Sequence, residues 1–508
     1  VPASVLSHPA VEAAAAEPIE AGVAIRRTRL GVGFLSVYGA GAIVDATSAI
    51  YLAAFLLFYL TAVCGLSGAA AGVALAIALV VDSAVDPLMG SLSDNLSSRL
   101  GRRHPFLIAS AIPIALALGL LFSIPHGLKG LSLFLWATGF TLAIRIGLSA
   151  YNVPYIALGA EVTEEYQARS TVVAWRIAIG AVGTVTALVL GYGVFLSGPR
   201  GGLLNRSGHA PFAWWGALLL AVAGLLCGLG TLSARRRLHL GAAARGPALV
   251  KLVRELREVF KNRSFLILFA ACLVFFVAQG AAGALAQHAN FFFWRLTPRQ
   301  MLIISLMGPP GLVVGITIVA ALGRAGEKRS LVIAGLLLIC ACQFAPVALR
   351  LTGVISPNGF APLATLGIAS LLAGAGVTMA VVGFQSMMAD AADEHELLFG
   401  ARREGLYFAG LSFSAKASSG LGGLIGGISL DLIGIPRNIA GQSAALHISW
   451  SGVRDLGLIY GPIAAVITSA SVLIVLGYRI DRRAHRRILE KLAARRSSEI
   501  GVLAAARS

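Results

Sequence analysis

Twelve stretches of about twenty predominantly apolar residues recur along the chain, and this pattern restricts the fold more than any other feature. They lie at residues 31–62, 68–92, 105–125, 131–158, 170–196 and 212–232, then at 265–290, 301–322, 330–350, 361–389, 404–433 and 455–478. A run of that length crosses a hydrocarbon core of about 30 Å as one α-helix. A barrel strand would be roughly half as long and would alternate apolar with polar residues. Charged residues make up only 13% of the chain, about half the share of an ordinary soluble domain. The spacing predicts an all-α membrane protein with twelve transmembrane helices.

Loop charge predicts the orientation. Residues 233–263 hold nine Lys or Arg against two acids, and the tail from Arg479 onward holds nine against three. The loops with Arg99, Arg102 and Arg103 and with Arg324, Lys328 and Arg329 fall on the same side, whereas alternate loops such as Cys64–Ser67 are sparse in charge. Basic loops stay cytoplasmic, so both termini are expected inside a bacterial-type inner membrane. The formal net charge of +18 is spread over separate juxtamembrane loops, which reads as topology and not as a nucleic-acid partner. The basic stretch divides the chain into a six-helix half at 29–232, a cytoplasmic linker at 233–263 and a second half at 264–479.

The ends read as cytoplasmic tails. Residues 1–28 carry Glu12, Glu17 and Glu20 among alanines and lack the basic start of a signal peptide, so they read as disordered. Residues 480–508 are basic, and Arg482–Arg496 is either an amphipathic helix lying on anionic lipid or a solvated flank. The five cysteines, Cys340 and Cys342 among them, lack the paired spacing of a metal site. Glycines crowd residues 420–427 (GLGGLIGG), where they permit close helix contact or mark a bend.

The most informative residues are charges where a membrane should hold none. A charge near the bilayer centre costs about 2.5–3.5 kcal/mol even on a lenient scale. Asp45 lies deep in the first span, Arg145 in the fourth and Lys416 in the eleventh. Asp82 and Asp86, four residues apart in the second span, share one helix face, where two negative charges repel. Such a pair either keeps a proton or offers hard oxygen ligands to a monovalent cation. The plainer alternative is a set of buried ion pairs, Lys416 with Asp82 or Asp86 and Arg145 with Asp45, that only hold helices together.

Around these residues the chain resembles the glycoside–pentoside–hexuronide:cation symporters, the melibiose-permease-like branch of the major facilitator superfamily. The resemblance runs over most of residues 35–430. It is carried by Tyr38-Gly39-Ala40-Gly41 with Asp45, by Phe58-Tyr59-Leu60-Thr61, by Asp82 through Gly90, and by Gly101-Arg102-Arg103-His104-Pro105. Asn152-Val153-Pro154-Tyr155, Arg169 through Arg176, Ala389 through Glu394, Arg402-Arg403-Glu404-Gly405 and Lys416 complete it. It implies a major facilitator fold of two six-helix halves and symport by alternating access.

Residue by residue, the resemblance implies that Asp82 and Asp86 bind the coupling cation, with Ser149 as a hydroxyl ligand. Asp45, Asn152 and Arg176 would bind the solute, with Arg145 beside them, and Lys416 would balance charge. Asp94, Arg102, Arg103, Asp390, Asp393 and Arg402 would form a cytoplasmic gate whose pairs break and re-form between the halves. The sequence also departs from the pattern. Asn152 stands where sugar-transporting members carry a second acid, Ile156 where an aromatic often follows, and Val44 where a polar residue is common. The same branch holds sodium-coupled lysophospholipid symporters, so an amphipathic solute is the second expectation.

The expected coupling ion is Na⁺, Li⁺ or H⁺, with no other metal and no cofactor, and the expected state is a monomer in contact with lipid. Enzyme motifs such as HExxH, a GxSxG near a triad, and Gly-x4-Gly-Lys are missing from the sequence. A zinc site at Asp390–Glu396 with His395, and a non-transporting sensor built on the same fold, are the other readings.

Overall fold

The computed structural model describes residues 31–162, 166–198, 202–233, 257–322, 326–357, 359–401, 403–438 and 449–505. The expected N-terminal tail and most of the basic linker therefore lie outside the described residues. The first six long helices are α1 (Val32–Leu56), α2 (Gly68–Asn95), α3 (His104–Phe122), α4 (Gly130–Glu161), α5 (Ala168–Phe195) and α6 (Arg206–Gly230). The next are α7 (Arg263–Phe293), α8 (Pro298–Leu322), α9 (Lys328–Leu351), α10 (Ala361–Phe399), α11 (Glu404–Ile433) and α12 (Trp450–Val475). Among the described residues, eleven of these are long and apolar enough to cross a membrane. The twelfth, α11, has the length at 30 residues, but Lys416 and small polar residues interrupt its apolar face.

Local chemistry sets the ends. Ser67, Asn205 and Asn262 each accept a backbone N–H at the start of α2, α6 and α7, satisfying a donor that would otherwise be orphaned. Gly400 and Gly434 end α10 and α11 in the left-handed conformation at φ 77° and 74°, which a residue with a Cβ adopts only at a cost. Prolines inside α2, α4 and α9 do not break those helices; each removes one internal hydrogen bond.

The packing repeats with a period of six helices. In the first set α1 packs on α5 and α6, α2 and α3 pack on α4, and α3 on α6. In the second set α7 packs on α11 and α12, α8 and α9 on α10, and α9 on α12. Aromatic rings bind the first set together at its charge-sparse end. Tyr51 stacks on Phe212 at 4.1 Å and donates to its carbonyl at 2.7 Å, and Tyr59 donates to the carbonyl of Phe122 at 2.7 Å.

Between the two sets, α2 runs along α11, the end of α1 meets α7, and the end of α5 meets α8. The α2–α11 contact is backbone to backbone: a Cβ on Gly68 would run into the carbonyl oxygen of Gly427, and the reverse holds for Gly427. Of the two sequence readings of GLGGLIGG, the structure displays close contact. Asp431 then caps α2 from across this seam, accepting from the N–H groups of Gly68 and Ala69 at 2.8 Å each. Thr61 with His288 at 2.9 Å and Tyr192 with Gln287 at 2.5 Å join the sets at the same sparse end.

A thirteenth helix, α13 (Arg482–Ala505), follows the last span. Ile488 and Leu492 are buried against the second set, and His485 lies 3.0 Å from Asp393 and 3.4 Å from Asp390. The helical reading of Arg482–Arg496 holds, and one apolar face of it docks on the protein.

Candidate functional site

The mid-bundle charges gather around α2. Pro87 has no N–H, so the carbonyl of Ser83, four residues earlier, lacks its helical donor one position from Asp82. Ser149 of α4 stands 2.8 Å from Asp82 Oδ1 and 2.6 Å from Asp86 Oδ1. Its hydroxyl holds one proton and donates to one carboxylate at a time. From α11, Lys416 Nζ lies 3.0 Å from Asp82 Oδ2 and also contacts Asp86 Oδ2. The Asp82 side chain is 6% exposed, the Asp86 side chain 30%. Two carboxylates and a hydroxyl, with a carbonyl nearby, form a set of hard oxygen donors suited to a small cation, and Lys416 presently supplies the positive charge.

A second group lies on the α1–α4 side. Asn152 donates to Asp45 Oδ1 at 2.8 Å, and Asp45 is exposed despite its position in the middle of α1. Arg145 lies within electrostatic reach of both Asp45 and Asp82, and its Nε is buried without a hydrogen-bond partner. Arg176 sits elsewhere, against the hydroxyl of Tyr38, whose ring stacks on Tyr155 at 4.7 Å. Tyr38 precedes Asp45 by two helical turns, about 10 Å along the axis toward the basic end. Asp45, Asn152 and Arg145 thus come together, while Arg176 stands apart from them.

At the basic end, Arg103 is bound by Asp94 at 2.5 Å, Glu161 at 2.8 Å and Ser93 at 2.5 Å, and Arg102 reaches Glu161 at 3.4 Å. Lys328 holds Asp390 at 2.7 Å beside His485. Each contact named here lies inside one set of helices; Arg402 lies outside the described residues. Sequence reasoning missed Glu161, Lys328 and His485 as partners. It also missed Gln279, Gln343 and Asn290, whose signal was an amide inside or at the end of an apolar span. No group of three or more potential metal ligands occurs among the described residues, so the His395 zinc reading finds no cluster there.

The protein-family model described as MFS/sugar transport protein matches residues 37–482. The chain is 27% identical to the glucuronide carrier protein homolog of Escherichia coli, over 76% of this chain and 80% of that one. It is 24% identical to the isoprimeverose transporter of Lactiplantibacillus pentosus, over 84% of each. It is 25% identical to an uncharacterized symporter of Synechocystis sp., over 91% of this chain and 96% of the relative. Among solved structures, a single-residue mutant of the nucleoside transporter NupG superposes with a TM-score of 0.61 at 13% identity, covering 88% of this chain and 100% of that one. A D-xylose–proton symporter does so at 0.56 and 14%, covering 88% and 98%. These superpositions establish the major facilitator fold. A family match of that length, on a bundle that repeats after six helices, gives the chain its place: it belongs to the glycoside–pentoside–hexuronide symporter family of the major facilitator superfamily, as a membrane transporter of small solutes and not an enzyme.

Proposed function

We propose that the protein carries a sugar or glycoside into the cell together with one monovalent cation, by rocking its two six-helix halves about a site near the bilayer midplane. The observation that carries this reading is the cluster of Asp82, Asp86, Ser149 and Lys416, which joins α2 and α4 of one half to α11 of the other. Two carboxylates and one ammonium leave a net charge of −1. Bringing one Na⁺, Li⁺ or H⁺ to the carboxylates makes the cluster neutral, and a neutral cluster passes through an occluded, low-dielectric state at far lower cost. Cation binding therefore favours the transition that the solute also needs, which is the physical content of coupling.

The solute meets Asp45, Asn152 and Arg145 at the open middle of α1 and α4, and Arg176 on the path toward the basic end. A carboxylate accepts two sugar hydroxyls, and the Asn152 amide keeps one Asp45 oxygen oriented. The sugar class is supported by relatives whose names describe glucuronide and isoprimeverose carriers. The basic end faces the cytoplasm of an inner membrane, with both termini on that side. Contacts between the halves at the sparse end then belong to a state closed to the outside. The networks of Asp94, Arg102 and Arg103 and of Asp390 and Asp393, with Arg402, act as the inner gate.

The test is uptake of radiolabelled sugars into proteoliposomes under an imposed Na⁺ or pH gradient. Gradient-driven uptake that is lost in Asp82→Asn is the expected result. Uptake that equilibrates identically with and without either gradient would reduce the cluster to a structural ion pair.

A further inference from the structure

At the basic end of the second half, the first turns of α7 and α9 and the stretch that joins α12 to α13 line a cavity of about 620 Å³. Arg263 stands at the start of α7, Arg329 at the start of α9 and Arg479 just beyond α12, and all three face into it. Arg329 donates to the carbonyl of Tyr478 at 3.4 Å, which holds its guanidinium against the wall. None of the three pairs with a carboxylate among the described residues. Two acids also line the cavity, and both are engaged at the start of α13. Glu327 accepts from the N–H of Arg482 at 3.3 Å, and Asp481 from that of Ala484 at 2.7 Å.

The surroundings change within two turns of these arginines. Leu266 of α7 is 40% exposed, Leu473 and Leu476 at the end of α12 are 70% and 47% exposed, and Ile333 lines the cavity one turn into α9. Guanidinium groups at the ends of three spans, with exposed leucines deeper along the same helices, follow the order in which a bilayer presents phosphate and then hydrocarbon. Beyond the cavity, α13 carries Arg483, Arg486, Arg487 and Lys491, all exposed, with Glu490 as the acid among them. Helical spacing puts these four on the face opposite the buried Ile488 and Leu492, so positive charge continues along the helix that the cavity wall leads into.

We infer that this cavity binds the headgroup of an anionic phospholipid, with the phosphate among Arg263, Arg329 and Arg479 and an acyl chain descending along Ile333 and Leu476. A guanidinium presents paired N–H donors in the geometry of phosphate oxygens, and the volume lies within the roughly 300–1,000 Å³ of small-molecule sites. A zwitterionic headgroup brings its own ammonium, which the three arginines oppose. A soluble phosphate reaches the same arginines but gains nothing from the leucines beneath them. A lipid held there ties the ends of α7, α9 and α12 to the start of α13, so that α13 moves with the second half as one body. None of these residues belongs to the Asp45 or Asp82 groups, and the inference is independent of the solute and cation readings above.

The experiment is native mass spectrometry of the purified full-length chain in detergent, titrated with phosphatidylglycerol and, separately, with phosphatidylcholine of the same acyl chains. Wild type is compared with Arg263→Gln/Arg479→Gln, which removes two exposed charges of the cavity, and with Lys129→Gln/Arg299→Gln, which removes two exposed charges at the sparse end. Unfolding midpoints serve as the control for folding. Wild type is expected to bind phosphatidylglycerol about tenfold or more tighter than phosphatidylcholine. The cavity variant should lose that preference, and the sparse-end variant should keep it. Equal binding of the two lipids by wild type, a preference that survives in the folded cavity variant, or its equal loss in both variants overturns the site. Displacement of phosphatidylglycerol by free glycerol phosphate overturns the lipid assignment in favour of a soluble anion. Should the cavity variant lose its unfolding transition, Arg329→Gln decides by the same comparison.

Discussion

Lys416 Nζ lies 3.0 Å from Asp82 Oδ2, and this contact joins the eleventh helix to the second across the seam between the two sets of six. It places a positive charge where a coupling cation would compete for the same oxygens. Lys416→Gln is therefore predicted to bind the cation about tenfold more tightly while transport becomes uncoupled from the gradient. The Lys416 side chain is 39% exposed, so the loss of stability should stay below the roughly 3 kcal/mol of a fully buried pair. Cation calorimetry and uptake on one preparation check this. Weaker cation binding in the variant would make Lys416 a helper and not a competitor.

Asp45 and Asn152 should separate in magnitude. Asp45→Ala removes the charged acceptor and is expected to abolish measurable solute binding while cation binding persists. Asn152→Ala removes one hydrogen bond to the Asp45 carboxylate, worth about 1.5–3 kcal/mol, so affinity should fall by about ten- to 150-fold while binding stays measurable. Equal losses in the two variants would contradict the assignment of Asp45 as the principal solute anchor.

Gly68 and Gly427 approach so closely that neither tolerates a side chain without backbone movement. Gly427→Val is predicted to cost about 1–3 kcal/mol in the state closed at the sparse end. A single-cysteine reporter beside Thr61 should then react faster with a membrane-impermeant thiol reagent added from outside. Unchanged labelling would mean that the seam is not what closes that end.

Arg103, with its side chain only 7% exposed, is shared by Asp94, Glu161 and Ser93. A lysine cannot reproduce a planar fork that serves three acceptors. Arg103→Lys should lower stability by about 1–2 kcal/mol, and Arg103→Ala by about 2–3 kcal/mol, both read from thermal unfolding in detergent. An alanine variant as stable as wild type would show this network to be solvated and dispensable.

The helices were legible because a bilayer span has a fixed length, but their ends were less so. The apolar window of α10 stops at residue 389, yet the helix continues to Phe399, because Asp390 and Asp393 are compatible with helix once they leave the hydrocarbon and meet Lys328 and His485. Asp82, Asp86 and Lys416 stood out because each pays a large cost in lipid unless paired. Spacing favoured function over bare ion pairing for these residues, and the structure displays Lys416 paired with both carboxylates. Glu161 gave no signal, since an acid at a helix end is ordinary until Arg102 and Arg103 are seen beside it. Gln279 and Gln343 gave only the signal of an amide in an apolar span: more than sixty residues apart, they acquire meaning when packing brings them within 2.8 Å.

Calorimetric titration of Na⁺, Li⁺ and K⁺ into purified protein at two pH values, for wild type and Asp82→Asn, asks whether the carboxylates of α2 hold a coupling cation. Saturable Na⁺ or Li⁺ binding that Asp82→Asn abolishes, or proton uptake on adding sugar when no metal ion binds, is the predicted result. Folded wild-type protein that neither binds a cation nor exchanges a proton with sugar would contradict it.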